Sequence, residues 1–240
     1  MLNFSPPCCN FTGMLNVFYL KMTDPVFSGL EAEDFRPWLE PSKFATVLSY
    51  RSDKVRREKW LGEWLLRYVL LHVYRLSPKD YTVEKAGGGK PYLAGVTERV
   101  YFNLSHSGEY VVCAFSDSEI GVDIEKIRLE RMGVARRFFH PEEIRALEET
   151  GEDGRQELFF KYWSVKESFL KYKGTGLRCP LSSFAVSDGN GEIRIRQEEE
   201  VVPVQVKECR IDPEYKCFIC SEEAGEPEIT RLSGWQALPV

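Results

Sequence analysis

The sequence predicts a mixed α/β (α+β) fold built from two similar halves. Segments in which apolar and polar residues alternate with period two, as in half-buried strands, are interleaved with segments whose apolar residues recur at helical spacing. Each half begins with a strand, continues into a helix and closes with strands, and the pattern restarts near residues 116–119. We therefore expect a flexible leader at residues 1–13, an N-terminal subdomain at 14–118 and a C-terminal subdomain at 119–240.

The composition is that of a globular protein from a reducing compartment. The chain has 240 residues, of which 43% are apolar and 29% charged, enough to bury one large core or two smaller ones. No apolar run is long enough to cross a membrane, and the N-terminus lacks the basic and apolar regions of a secretory signal. Seven cysteines at irregular spacing argue against a disulfide framework. These features predict a cytoplasmic protein that is not embedded in a membrane.

The first half contains a basic stretch in a chain whose net charge is −5. Residues 14–22 predict a first strand, residues 30–39 a short amphipathic helix, and residues 43–76 one long helix that starts basic and becomes apolar. The charged residues of its first part are Lys43, Arg51, Lys54, Arg56, Arg57, Lys59 and Arg67 against Asp53, Glu58 and Glu63. This surface is either simply solvated or binds an anion.

Two further segments of the first half carry candidate anion ligands. Residues 86–93 (AGGGKPYL) form a glycine-rich turn that is neither a Walker loop nor a GxGxxG motif, although its backbone N–H groups and the Lys90 ammonium could contact a phosphate. Residues 102–108 (FNLSHSG) predict a hinge between two strands at the SHSG residues, which include Ser105 and His106. These side chains either cap their own tight turn or form a cradle for an oxyanion or a phosphate.

The second half opens with a strand that carries two carboxylates on one face. In residues 119–125 (EIGVDIE), Asp123 and Glu125 share a face with Gly121, while the intervening apolar residues point the other way. We expect Gly121 to leave open space beside the two acidic groups. The pair is either a solvated polar face or a ligand pair for a hard cation such as Mg²⁺, which prefers carboxylate oxygens together with water and phosphate oxygens.

A helix that ends at Gly174 carries the other candidate site residues. Its apolar residues cover one broad arc, and the glycine supplies the stop. Lys166 falls inside this arc, and we expect it to pair with a carboxylate because a buried unpaired lysine would be costly. Trp163, Glu167 and Lys171 are spaced by four and follow one line of the helix. This line is either a surface Glu–Lys pair or the partner of the two strand carboxylates.

Five motifs, in this order, give the sequence a resemblance to a known family. They are GKP at residues 89–91, FNLSHSG at 102–108, IGVDIE at 120–125, RFF at 137–139 and WSVKESFLK at 163–171. The set resembles the 4′-phosphopantetheinyl transferases of the Sfp type, over nearly the whole chain from Met14 onward. It implies a monomer of two similar halves related by pseudo-twofold symmetry, with coenzyme A (CoA) between them. The implied activity is Mg²⁺-dependent transfer of phosphopantetheine from CoA to a serine of an acyl or peptidyl carrier protein, with release of 3′,5′-ADP.

The resemblance also implies roles for individual residues. Asp123, Glu125 and Glu167 would hold Mg²⁺, or Mn²⁺ in its place, and Glu167 and Lys171 would be catalytic. The CoA contacts would come from Lys43, Lys59, Lys90, Ser105, His106 and Lys171, with His106 and Lys90 at the 3′-phosphate. Two other interpretations of the same residues stay open: a non-catalytic CoA or nucleotide-binding module, and a Mg²⁺-dependent phosphohydrolase that uses water as its nucleophile. No nucleic-acid partner is implied.

Overall fold

A computed structural model describes residues 15–97, 99–129, 132–189, 191–198 and 200–235, so the leader expected at residues 1–13 lies outside the described residues. The strands are β1 (Asn16–Lys21), β2 (Thr82–Lys85), β3 (Pro91–Ala94), β4 (Tyr101–Ser107), β5 (Tyr110–Ser116), β6 (Ile120–Lys126), β7 (Phe184–Gly189), β8 (Glu192–Gln197), β9 (Glu200–Val201), β10 (Gln205–Glu208), β11 (Tyr215–Ser221) and β12 (Glu228–Arg231). The α-helices are α1 (Pro25–Ser28), α2 (Ala32–Phe35), α3 (Pro41–Leu48), α4 (Asp53–His72), α5 (Met132–Phe138), α6 (Pro141–Glu149) and α7 (Glu152–Lys173), with 3-10 turns at Arg36–Trp38, Gly176–Arg178 and Leu181–Ser183. None of these described helices is long and apolar enough to span a membrane. The mixed α/β class predicted from the sequence is confirmed.

The described strands form two large sheets and one small hairpin. The first sheet has the order β12–β1–β5–β4, and the second has the order β6–β11–β10–β8–β7 with β9 paired to β8. Strands β2 and β3 pair with each other. Neighbouring strands are antiparallel except for β12, which runs parallel to β1.

The helices and the two large sheets form four layers, and an apolar core lies between each pair of neighbouring layers. Helix α4 covers one face of the first sheet, where Phe18 of β1 joins its core. The opposite face of β1, which includes Val17, packs with Ile124 of β6 in a core between the two sheets. Helix α7 covers the outer face of the second sheet and shares a core with Phe218 of β11. Strand β5 is therefore buried along its whole length.

The last described segment of the chain returns to the first half. Strand β12 pairs with β1 in a register that places Asn16 opposite Glu228. Leu232 is buried in the core under α4, and the Trp235 ring stacks on Trp64 with 4.8 Å between the ring centroids. The first sheet and its core are thus completed by residues from near the end of the chain.

The single helix expected at residues 43–76 is in fact two helices. Helix α3 ends at Leu48, and α4 begins after Ser52, whose Oγ accepts a hydrogen bond of 3.4 Å from the backbone N–H of Val55. A serine N-cap followed by an acidic first residue is a typical helix start, so local capping interrupts a continuous helical periodicity. The short helix expected before it is α2 followed by a 3-10 turn.

One strand of the first sheet is bonded to the second sheet through its side chains. Alternate residues of β4 accept hydrogen bonds from backbone N–H groups of β6: Asn103 Oδ1 from Val122 (3.0 Å), Ser105 Oγ from Ile124 (3.2 Å) and Ser107 Oγ from Lys126 (3.2 Å). These N–H groups lie on the edge of β6 that β11 does not pair, so the side chains satisfy donors that a buried edge would leave unpaired.

The position of the turn after β4 differs from the sequence-based expectation. The turn consists of Gly108, which has a positive φ of 59°, and Glu109. Ser105 and His106 lie inside β4 and point to opposite sides of it. The expectation of a hinge at these two residues was wrong, because their polar side chains serve contacts between layers rather than a turn.

Candidate active site

A cleft of about 640 Å³ lies where α3, α4, β4, β6 and α7 meet. Most of the candidate residues from both halves line it: Lys43, Lys59, Ser105, His106, Asp123, Glu125, Trp163, Glu167 and Lys171. The cleft is therefore acidic on the wall formed by β6 and α7, and basic where α3 and α4 approach it.

Gly121 sets the distance between β6 and α7. A Cβ atom at this position would overlap the carbonyl oxygen of Ser168 and the backbone nitrogen of Tyr172, so the helix backbone lies directly against the strand. The expectation that Gly121 leaves open space beside the carboxylates was wrong, since the helix fills that space. This close approach brings Glu167 next to Asp123 on the neighbouring strand.

Asp123 is the most deeply buried carboxylate of the site, with 4% of the residue exposed. Its Oδ1 atom accepts hydrogen bonds from Ser105 Oγ (3.1 Å) and from Lys171 Nζ (2.7 Å). Its Oδ2 atom is buried and accepts no hydrogen bond of ordinary geometry among the described residues, although the Ser164 hydroxyl is close enough to lower the pKa of this carboxyl. Burial raises the pKa of Asp123, although the Lys171 ammonium opposes the shift. The free oxygen is the kind of buried acceptor that a ligand is expected to satisfy.

The other two carboxylates extend the acidic wall. Glu125 Oε2 accepts a hydrogen bond of 2.8 Å from Ser107 Oγ, whereas the Glu167 carboxylate forms no hydrogen bond or ion pair within the described ranges. Burial raises the pKa of both groups, and the charge of Asp123 raises it further. The three carboxylates thus repel one another. Among the described residues, Lys171 is placed against Asp123, and the largely exposed Arg128 lies 3.9 Å from Glu125 Oε2.

Lys171 connects α7 to β4 and β6. Its Nζ donates to Ser105 Oγ (2.9 Å), to the Val122 carbonyl (3.0 Å) and to Asp123 Oδ1, and 28% of the side chain is exposed to the cleft. Trp163 and Glu167 line the same cleft from the same edge of α7. In the described part of the chain Glu167 and Lys171 do not pair with each other, so the alternative of a surface Glu–Lys pair does not describe this helix.

The donor set fits a hard cation, although a ready metal cluster is not formed. Within the described residues, no three His, Cys, Asp or Glu side chains are already arranged to hold a metal ion. The ligands on offer are nevertheless carboxylate oxygens, and one of them, Asp123 Oδ2, is buried without a partner. Oxygen ligands, excess negative charge and an adjacent cleft are what Mg²⁺ and Mn²⁺ require.

The basic end of the cleft is built around His106. Lys59 Nζ lies 3.2 Å from His106 Nε2, and the Glu58 carboxylate lies 3.4 Å from His106 Nδ1. Burial, helped by Lys59 and other ammonium groups, lowers the pKa of His106 to about 4. The imidazole is therefore neutral near pH 7. Lys43, from α3, pairs with Glu63 at 2.6 Å at the same end of the cleft.

Lys90 is the one candidate residue that does not line this cleft. It lies in an adjacent recess of about 270 Å³ that also contacts Glu167 and Lys171. Its Nζ donates to the Tyr172 carbonyl at 2.9 Å and to the Glu119 carboxylate. The structure thus places the Lys90 ammonium on protein partners and does not bring it to His106.

Lys166 shows how the site is anchored from behind. Its Nζ pairs with Glu143 Oε1 at 2.8 Å, and both side chains are fully buried. The same ammonium donates to the carbonyls of Leu181 (2.8 Å) and Phe184 (2.7 Å). The expected carboxylate partner of Lys166 is confirmed, and this pair fixes α7 at the residue that precedes Glu167.

Sequence reasoning missed several residues that shape the cleft. Asn103 and Ser107 hold the edge of β6, and Glu58 faces His106. The signal for the first two was present in the polar residues at alternate positions of β4, which indicate one polar strand face. Glu58 gave no separate signal, because it stands among the charged residues of α4.

A layered α/β fold with clustered carboxylates and ammonium groups in one cleft defines a protein suited to hold a polyanion together with a cation. Comparisons with known proteins identify the family. A model described as the 4'-phosphopantetheinyl transferase superfamily matches residues 119–220, and one described as 4'-phosphopantetheinyl transferase, N-terminal, matches residues 35–119. The chain belongs to the 4'-phosphopantetheinyl transferase family.

Individual relatives agree with this assignment. The chain is 31% identical to 4'-phosphopantetheinyl transferase Sfp of Bacillus subtilis (strain 168), over 93% of this chain and 100% of the relative. It is 36% identical to the transferase ffp of Bacillus subtilis over 74% of this chain and 80% of the relative, and 32% identical to psf-1 of Bacillus pumilus over 82% and 85%. Among solved structures, Thermotoga maritima holo-[acyl-carrier-protein] synthase matches with a TM-score of 0.37 and 18% identity, over 43% of this chain and 62% of that one.

Proposed function

We propose that this chain transfers the phosphopantetheine group of CoA to a serine hydroxyl of an acyl or peptidyl carrier protein and releases 3′,5′-ADP. The observation that carries the proposal is the cleft in which Asp123, Glu125 and Glu167 face the Lys171 ammonium. Membership of the family, and relatives named as 4'-phosphopantetheinyl transferases that the chain matches over most of their length, support the same conclusion.

The three carboxylates are the proposed ligands of Mg²⁺, or of Mn²⁺ in its place. Asp123 Oδ2 has no partner in the described residues, and burial together with repulsion from Asp123 raises the pKa values of Glu125 and Glu167. A divalent cation would relieve both the unsatisfied oxygen and the repulsion. When bound, such an ion neutralises charge on a pyrophosphate and makes its phosphorus more electrophilic.

Glu167 is the proposed general base. The serine oxygen forms a bond to the β-phosphorus of CoA while the bond from that phosphorus to the leaving phosphate of 3′,5′-ADP breaks. The serine hydroxyl must lose its proton in this step, and the Glu167 carboxylate can accept it. Burial raises the pKa of Glu167 above that of an exposed glutamate, which favours acceptance of the proton, whereas a bound cation would oppose this shift.

Lys171 is the proposed electrostatic partner of the leaving group. Its ammonium lies one helical turn beyond Glu167, lines the cleft and is partly exposed there. Its three donors are used by Ser105, Val122 and Asp123, so it would exchange one of these bonds for a phosphate oxygen and then neutralise the negative charge that develops on 3′,5′-ADP.

The remaining CoA contacts are proposed from the basic side of the cleft. Lys59 and His106 are the proposed ligands of the 3′-phosphate, and Lys43 is proposed to contact another part of the nucleotide. Ser105 lines the same cleft and is also a proposed contact, but its hydroxyl must first exchange one of its bonds to Asp123, Ile124 and Lys171. Lys90 is also a proposed ligand, from the neighbouring recess, but its ammonium must leave Glu119 before it can reach a phosphate.

We also propose that the protein is a cytoplasmic monomer with subdomains at residues 14–118 and 119–240, with β12 of the second segment exchanged into the sheet of the first. The five cysteines among the described residues are free, which supports a reducing compartment. Light scattering during size-exclusion chromatography should give the mass of one chain, and a mass of two chains would contradict the monomer.

The test of the proposed function is a transfer assay. The protein is incubated with CoA, Mg²⁺ and an apo carrier protein, and mass spectrometry should show the carrier gaining one phosphopantetheine group while 3′,5′-ADP is released. Release of 3′,5′-ADP with an unmodified carrier would instead indicate a phosphohydrolase. CoA binding without either product would indicate a binding module.

Glu167→Gln provides the matched control for this assay. The amide keeps the size of the side chain but removes its charge, so we expect the rate constant to fall by about 10²- to 10⁴-fold. Full activity of this variant at ordinary Mg²⁺ concentrations would contradict the role of Glu167.

A further inference from the structure

Three titratable side chains form a row where α4 faces β4. His106 stands in the middle, with Lys59 Nζ 3.2 Å from its Nε2 atom and Glu58 Oε2 3.4 Å from its Nδ1 atom. An ammonium group can only donate, so Nε2 must present its lone pair to Lys59. The ring proton is then on Nδ1, where it faces the Glu58 carboxylate. The two neighbours thus select one tautomer of the neutral imidazole.

Several ammonium groups act on His106, and Lys59, Lys171 and Lys54 each lower its pKa. The charged groups nearest this end of the cleft are Lys54, Glu58, Lys59 and Glu63 from α4, Lys43 from α3, Lys85 from β2 and Lys171 from α7. Asp123, Glu125 and Glu167 line the same cleft, and the first two contact the serines on the opposite face of β4. Burial and these ammonium groups together lower the pKa of His106 to about 4, although a hydrogen bond to the backbone at His106 opposes the shift.

The carboxylate of Glu58 is unexpected at the basic end of the cleft. Its side chain is only 8% exposed, and a buried carboxylate in an anion-binding cleft repels the ligand unless it faces a cation. Lys54 lies 3.7 Å away and is largely exposed, so it compensates Glu58 only in part. The position of Glu58 behind the imidazole is the arrangement that stabilises an imidazolium ion.

We propose that Glu58, Lys59 and His106 form a proton-coupled anion site, in which His106 takes up a proton when a phosphate dianion binds beside Lys59. The proposal rests on the proposed function, which supplies the 3′-phosphate of CoA as the dianion. The proton comes from solvent and joins Nε2, which changes from an acceptor into a donor toward a phosphate oxygen. Glu58 acts as a positioning residue, because it accepts the Nδ1–H bond and stabilises the charged ring without touching the ligand.

The coupling would make the site selective for a 3′-phosphorylated nucleotide. Burial and the neighbouring ammonium groups keep His106 neutral. A dianion beside the ring offsets the repulsion from the ammonium groups and stabilises the imidazolium ion, so only a ligand with that phosphate recruits the extra donor. A ligand that lacks the 3′-phosphate leaves the ring neutral and gains nothing from Glu58. Glu58 is therefore expected to change the affinity for CoA but not for 3′-dephospho-CoA.

Isothermal titration calorimetry tests the proposal by counting protons. Binding of CoA to the full chain is measured at pH 7.5 in buffers of different ionisation enthalpy, with 3′-dephospho-CoA as the second ligand. A phosphate monoester is mostly a dianion at this pH because its second pKa is about 6, so the ligand itself contributes little. We expect net proton uptake with CoA and almost none with 3′-dephospho-CoA.

The same calorimetry on variants tests whether the proton is taken up by His106. Glu58→Gln should weaken CoA roughly tenfold and reduce the proton uptake, because one charge-assisted hydrogen bond is lost. His106→Gln should abolish the uptake while weaker binding persists. Asp53→Asn, which removes an exposed carboxylate from the same helix, should change neither quantity. Thermal melting confirms that each variant is folded.

Several results would overturn the proposal. Equal proton uptake with both ligands, or unchanged uptake in a folded Glu58→Gln variant, would show that His106 is not the group that titrates. If CoA binds and is transferred without any proton uptake, the coupling is absent although the proposed function stands. If the wild-type chain does not bind CoA at all, the proposed function itself fails, and with it the ligand of this site.

Discussion

Two lysines of α7, five residues apart, form ion pairs of opposite character. Lys166 and Glu143 are both fully buried, and the ammonium also has two backbone carbonyls to bond. Lys171 pairs with Asp123, but that carboxylate keeps a free oxygen among the described residues and stands beside two further carboxylates. The first pair is balanced and closed, whereas the second has unmatched charge next to a cleft. The comparison teaches that incomplete compensation, rather than burial of charge, marks the candidate site.

The largest effect on stability is expected at the balanced pair. Lys166→Met leaves the Glu143 carboxylate buried without its cation, which should lower the free energy of unfolding by about 3–5 kcal/mol. Chemical denaturation measures the loss. The double variant Lys166→Met with Glu143→Gln should recover a large part of it, since the amide oxygen can still accept from the Val186 N–H. No recovery in the double variant would mean that packing of the lysine stem, not charge, dominates.

Loss of the Lys171–Asp123 pair should instead lower the transfer rate. Lys171→Met removes the ammonium from the leaving phosphate and should lower the rate constant of transfer by about 10²- to 10³-fold, as for loss of one transition-state donor. It should destabilise the protein less than Lys166→Met, because the side chain is partly exposed. The contrast between the two lysines is checked by measuring rate and unfolding in both variants. Equal loss of stability in both would remove the distinction.

A smaller effect is expected where β6 meets α7. Gly121→Ala places a methyl group against backbone atoms of Ser168 and Tyr172, and overpacking of this kind costs about 1–3 kcal/mol. Because α7 must move away from β6, the transfer rate should fall together with the melting temperature. Gly133→Ala, at a helical position with open space, is the matched control: it should leave the transfer rate unchanged and should not lower the melting temperature, because alanine favours the helix more than glycine does. An unaffected Gly121→Ala variant would show that the strand and helix are not in close contact.

The smallest expected effect is a pH dependence of the melting temperature without metal. Burial raises the pKa values of Asp123, Glu125 and Glu167 in the folded state. Groups of this kind contribute stability below their unfolded pKa and lose it as pH rises through the folded pKa. In EDTA, the contribution of these three carboxylates to stability should therefore fall as pH rises above about 4, the ordinary carboxyl range, whereas carboxylates with lowered pKa values such as Glu63 act in the opposite direction. Melting curves should show that this loss is smaller in Glu167→Gln and that Mg²⁺ reverses it in the wild type.

The parts of the site that lie on one face of one element could be predicted from the sequence. Period two in residues 119–125 correctly separated Asp123 and Glu125 from the apolar face of β6, and helical spacing correctly put Glu167 and Lys171 on one edge of α7. Both succeed because local geometry alone fixes the direction of a side chain.

The parts that depend on contacts between elements could not be predicted. The sequence shows that Gly121 has no side chain, but only the packing of α7 shows that backbone atoms of this helix occupy the space beside it. The serines of β4 resembled turn residues, because short polar side chains serve turns and strand edges equally well. From the sequence, the Lys90 ammonium was expected to be available for a phosphate. In the structure it is bonded to Glu119 and Tyr172, which are distant from it in the chain.

The return of β12 to the first sheet determines how the chain can be divided. A cut near residues 116–119 would not yield two self-sufficient pieces, because the N-terminal piece would lack the strand beside β1 and the Trp235 ring that stacks on Trp64. The C-terminal piece would carry that strand with no sheet to join. The first structural half therefore consists of two separate segments of the sequence. A chimera of two relatives should fold only when residues 228–235 come from the same parent as β1.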